Sequence, residues 1–187
     1  MSPHPSEHER RTMALEAWAD TIIPGEKRSP EDRAIAGVSA GGGAVTSGAL
    51  EVLRSEEGGM GPLLDGLADA LEGHARAYCA QQGLEADADT PFVGLSYEHR
   101  SALVKALMAP GHPENMMWRG ITMFCFMAWD TGAHMPTAQA LASGHPGLTT
   151  MGFTGPDSDG LWRFPDFSYR RPLSDQHPDT TPTGSPR

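Results

Sequence analysis

Cysteine is scarce in this chain, with only Cys79 and Cys125 among 187 residues. Two thiols cannot make the disulfide framework on which small secreted scaffolds depend. Each lies inside an apolar helical pattern, so both read as reduced, buried and structural, though spacing alone leaves a single bridge open. Long apolar runs are also missing. No stretch approaches the roughly 18 uncharged apolar residues that a membrane-crossing helix needs. Arg10-Arg11 has the look of a twin-arginine leader, but Glu16 and Asp20 fall where such a leader is uncharged. A cytoplasmic location is therefore expected. Positive charge is in deficit: 14 Lys and Arg against 24 Asp and Glu give a net charge of −10. An acidic surface repels phosphate backbones and anionic bilayers, so neither nucleic acid nor a membrane is expected as a partner.

Self-contained catalytic motifs are lacking as well. A nucleophile elbow needs its serine at a turn between a strand and a helix. Ser39, in Val38-Ser39-Ala40-Gly41, has no such flanks. Gly41-Gly42-Gly43 lacks the Lys-Ser/Thr that would make it a phosphate loop, and reads as a flexible connector. No dinucleotide fingerprint and no strand–helix alternation are present, so no flavin or nicotinamide is expected on this chain alone. The eight histidines show no His-Glu-x-x-His spacing, and no metal site is expected.

What is present is helical periodicity. Ser6-Glu7-His8-Glu9 has the form of a capping box. Leu15, Trp18, Ala19 and Ile22 follow on one helical face, and Pro24-Gly25 stops the helix, which spans about 7–22. Ser29-Pro30-Glu31-Asp32 predicts a short helix over 30–36. Val45, Ala49, Val52 and Leu53 form the next stripe, ending at Gly58-Gly59. Leu63, Leu64, Leu67, Leu71, Ala75 and Tyr78 predict a helix over 62–82, closed by Gly83. Residues 84–94 read as an acidic loop, after which Ser96 caps a helix carrying Leu103, Val104, Leu107 and Met108. The stretch from Met116 to Trp129 leaves almost no polar face. A helix apolar all round is expected to be buried on all sides. Pro136 opens one more helix, to about Ser143.

The expected fold is all-α, a helical bundle around a buried central helix at about 116–130, with an irregular aromatic-rich C-terminal arm. One domain would span 1–173, with the arm at 144–173 and a disordered tail at 174–187. The arm holds five of the 13 aromatic residues, and disordered segments are aromatic-poor. Trp162, Arg163, Phe164, Asp166, Phe167 and Tyr169, with Trp129, are of the types that anchor interfaces, and form the candidate partner surface. Packing of the arm on its own domain is the competing reading.

Asp130 and His134 in WDTGAHM are the best acid–base pair, four residues apart and on one face if the helix continues. Gly132 and Pro136 argue that it ends there, leaving both as structural residues. An apolar pocket for the pair would be lined by Met123, Phe126, Met127 and Trp129.

The string Trp18-Ala19-Asp20-Thr21-Ile22-Ile23-Pro24-Gly25, followed by Ser29 to Val38, resembles the opening motif of the gluconate 2-dehydrogenase subunit 3 family. The resemblance is specific over about residues 12–55; from Trp118 to Tyr169 the chain looks like a bacterial branch of that family. It implies a small all-α accessory subunit of an oxidoreductase complex, without flavin of its own. The partner would be a flavin-dependent catalytic subunit of the glucose–methanol–choline type, which carries FAD. The better-known branch often bears a twin-arginine leader; this chain departs from that, which leaves a cytoplasmic partner or an independent function open. Two rival expectations stand beside it. One is a stand-alone cofactor-free cyclase, isomerase or dehydratase acting on an apolar metabolite through Asp130 and His134. The other is a module that binds a small hydrophobic ligand without turnover.

Overall fold

The computed structural model describes residues 4–153, together with 155, 158, 178 and 179. The chain divides into two compact units, Met1–Phe153 and Thr154–Arg187. The second unit and the expected tail boundary fall almost wholly outside the described residues. The first unit is all-α, with no strand among the described residues: α1 (Glu7–Ile22), α2 (Ala49–Arg54), α3 (Gly61–Gln82), α4 (Pro91–Gly94), α5 (Tyr97–Leu107), α6 (Asn115–Thr131), α7 (Thr137–Ala142) and α8 (Pro146–Thr150).

The capping box forms at the start of α1. The Glu9 amide donates to Ser6 Oγ at 3.2 Å, and the Ser6 amide donates to the Glu9 carboxylate at 2.7 Å. The Ser6 interactions hold the Glu9 carboxyl below its ordinary range. Ser96 caps α5 through the His99 amide. Gly83 closes α3 at φ 66°, a left-handed conformation that glycine adopts without strain.

The centre of the bundle is α1, not the 116–130 helix. It packs against α2, α3, α4, α5 and α6. Ala14, Ala17, Trp18 and Ala19 are fully buried, and the small residues let neighbouring helices approach closely. The Trp18 ring lies 5.0 Å from Trp118 and 6.4 Å from Phe92. By contrast α6 buries one face only, through Trp118, Ile121, Cys125 and Ala128. Met116, Met117, Met123 and Phe126 face outward, with Met116 76% exposed. Its all-round apolarity therefore does not reflect all-round burial. Cys79 and Cys125 are both free and buried, and burial pushes the Cys125 thiol up to about 12.

Three further expectations are corrected. Residues 30–36 form turns rather than a helix, because carboxylates take the amides that a helix would use. Asp32 accepts from Ala34 and Ile35, and Asp20 accepts from Ala36 at 2.8 Å. The triple glycine is not a loose connector. The Glu26 amide donates to Gly41 O at 2.8 Å and the Ala44 amide to Ile23 O at 2.9 Å. A Cβ on Gly25 would sit 2.5 Å from Gly43 N, so the two backbones are in direct contact. Finally, regular structure continues past Gly144, where α8 buries Leu148.

One buried polar centre ties these segments together. Asp20 is 1% exposed and accepts from the Gly25 and Ala36 amides. Its carboxylate stands 4.0 Å from the buried guanidinium of Arg100. Arg100 donates to the carbonyls of Arg33, Ala34, Val93 and Leu95 at 2.5–3.2 Å. A buried charge is tolerated when its hydrogen-bonding groups find partners.

Candidate functional site

A cleft of about 670 Å³ opens between α2, α6 and the turn that follows α6. From α2 and its C-terminal turn come Glu51, Val52, Ser55, Glu57 and Gly58; from α6 come Met123, Phe124 and Met127. The turn adds Ala133, His134, Met135 and Pro136. Its floor is apolar, while Glu51, Glu57 and His134 supply titratable groups.

His134 reaches this position because α6 stops at Thr131. Gly132 adopts φ 60° and its amide turns back to the α6 carbonyls, so the chain leaves the helix axis before residue 134. The His134 ring lies against the backbone of Gly48, at φ 87°, where any Cβ would overlap the ring. Its Nδ1 is buried without a hydrogen-bond partner among the described residues. Burial pushes the imidazole below its ordinary value, the Glu51 carboxylate opposes this, and His145 adds to it. His145, 6.0 Å away ring to ring, is itself fixed. Its Nε2 contacts the Ser47 carbonyl at 3.1 Å and so carries the proton, while Nδ1 accepts from the Leu148 amide. A neutral imidazole in a half-buried cleft can act as a general base or ligate a polar group of a bound molecule.

The expected partner of His134 is elsewhere. Asp130 is exposed and, among the described residues, makes no hydrogen bond to His134. The helix end that sequence placed at Gly132 separates them. The acidic groups that do stand at the cleft are Glu51 and Glu57, and Glu51, which sequence reading missed, is the one that acts on His134. Its place depends on packing between α2 and the post-α6 turn, and no local spacing reports that. The expected pocket residues also divide. Met123 and Met127 line the cleft. Phe126 belongs to a separate groove with Thr21, Ile22, Tyr97 and Val104. Trp129 is half-buried, and its backbone packs so closely on Gly147 that no side chain fits at position 147. The candidate partner residues Trp162, Arg163, Phe164, Asp166, Phe167 and Tyr169 lie outside the described residues.

Gly37 to Gly41 spells Gly-Val-Ser-Ala-Gly, but the structure gives it no nucleophile role. Ser39 is exposed on a bend, and its hydroxyl donates only to the adjacent Ala40 carbonyl.

Compared with known families, the sequence matches a family of unknown function, DUF5987, over residues 9–187. The chain belongs to the DUF5987 family. No curated protein and no solved structure matches it. The DUF5987 match runs through both units, so the family includes the aromatic-rich segment as well as the helical one. Among the described residues no helix is long and apolar enough to cross a membrane.

Proposed function

We propose that this DUF5987 chain is a non-catalytic small subunit that binds and stabilises a flavin-dependent oxidoreductase of the glucose–methanol–choline type. The observation that carries this reading is the outward face of α6. Met116, Met123 and Phe126 are 47–76% exposed on the flank away from the buried Trp118, Ile121 and Cys125, and Met117 is 45% exposed at the start of the helix. Flexible methionines and an exposed aromatic ring suit a protein contact surface. Support also comes from the motif at Trp18–Gly25, whose Asp20 organises the turn after α1 in this fold. FAD would belong to the partner, and the complex would be cytoplasmic.

The test is purification of the tagged protein from its own host, with mass spectrometry and a visible absorption spectrum. A stoichiometric partner with a flavin spectrum is the expected result. A well-folded, colourless protein without a partner rejects the reading. Phe126→Asp should weaken the complex by about 2 kcal/mol, roughly 30-fold in affinity, with its circular dichroism unchanged.

A second reading is favoured by the unpartnered Nδ1 of His134 in the cleft. There the chain would be a cofactor-free cyclase, isomerase or dehydratase acting on an apolar metabolite, with His134 as acid–base and Glu51 in the place expected of Asp130. His134→Ala would then lower turnover by about 10²–10⁴ and leave the fold intact.

A further inference from the structure

We propose that His74, His112 and Glu114 form a binding site for a divalent first-row transition metal of the Zn²⁺ type. His74 stands on α3, whereas His112 and Glu114 belong to the turn that leads into α6. One ring nitrogen of each histidine and one carboxylate oxygen of Glu114 all lie within 4.8 Å of one another. Ligands about 2.0–2.1 Å from a tetrahedral Zn²⁺ stand roughly 3.3 Å apart, so small side-chain rotations bring these three atoms onto one ion. Two imidazoles and a carboxylate suit Zn²⁺, Co²⁺, Ni²⁺ or Fe²⁺ better than the oxygen-seeking Ca²⁺ and Mg²⁺. All three residues are half-buried, which shelters an ion and leaves its fourth position open to water.

The surroundings hold the donors in place. Glu114 Oε2 accepts from the Trp118 indole at 3.0 Å, and Trp118 is fully buried, so the carboxylate is anchored from the core. Such outer partners orient ligands at metal sites. The same oxygen lies 2.8 Å from His74 Nε2. His112 Nδ1 accepts from the Glu114 backbone amide at 3.2 Å, which fixes the ring; an ion taking this lone pair would displace that hydrogen bond. His74 and Glu114 share a hydrogen bond, and the ring of the third donor stands edge-on to His74 at 5.7 Å. An ion here would tie the middle of α3 to the start of α6. His74 and Glu114 are 40 residues apart, which is why no ligand spacing shows in the sequence. The proposal does not depend on the subunit reading.

The untagged, metal-stripped full chain would be titrated with Zn²⁺ by calorimetry and with Co²⁺ by visible absorption. One equivalent should bind, Co²⁺ should give d–d bands, and His74→Ala, His112→Ala and Glu114→Gln should each weaken binding by about tenfold or more. His99→Ala, away from the site, should bind as the unaltered chain does. Absence of binding, or binding that all three variants retain, overturns the site. Paramagnetic NMR on the unaltered chain gives a readout free of variant folding. Co²⁺ should shift or broaden the ring signals of His74 and His112 first. Broadening led by other histidines overturns the assignment.

Discussion

Gly48 shows how much one missing side chain can decide. It holds φ 87° before α2, and the His134 ring occupies the space its Cβ would need. Gly48→Ala combines backbone strain with a clash and should cost about 2 kcal/mol or more in denaturant unfolding. Glu72 makes a different prediction. It is 8% exposed, one oxygen accepts from the Phe92 amide at 2.8 Å, and the other has no partner among the described residues. Burial raises its pKa from 4.5 to about 7. The folded state therefore holds the proton more tightly than the unfolded chain. The stability this gives is present below about pH 4.5 and is lost as pH rises toward 7. Glu72→Gln should remove this slope, a change on the order of 2–3 kcal/mol across that window. Chemical denaturation of both proteins at pH 5 and pH 8 checks it; equal slopes would show that Glu72 ionises as freely folded as unfolded.

At the scale of elements, what sequence revealed depended on local signals. The caps at Ser6 and Ser96 and the stop at Gly83 are side-chain or backbone choices made within a few residues, and α1, α3 and α5 were legible from them. The turn at 30–36 was not, because the Asp20 carboxylate that competes for its Ala36 amide comes from 16 residues earlier. α6 was legible as a helix but not in its placement. Apolar residues on every side say nothing about which side finds a partner. The site was partly legible for the same reason. His134 stood out in its string, while Glu51 meets it only through tertiary packing. The two flanks of α6 should behave very differently on substitution. Ile121→Ala removes a fully buried side chain and should cost about 2–5 kcal/mol. Met116→Gln, at 76% exposure, should stay within about 0.5 kcal/mol. Urea midpoints of the two variants decide whether α6 is one-sided; comparable losses would mean that both flanks are packed.

For the molecule as a whole, the Arg100 guanidinium has a consequence for the order in which the first unit can come apart. It holds carbonyls from residues 33–34 and 93–95, so the long connection between α1 and α2 is latched to α4 and α5 by one side chain. Lys27, Arg28 and Arg33 lie exposed along that connection, each a peptide bond that trypsin could cut if the backbone could leave the surface. With Arg100 in place, cleavage there must wait for the latch to open. Arg100→Met should make these three bonds the first to be cut, with circular dichroism of the intact variant still fully helical. The bundle would then survive as nicked but associated fragments, much as a door stays in its frame after the bolt is drawn.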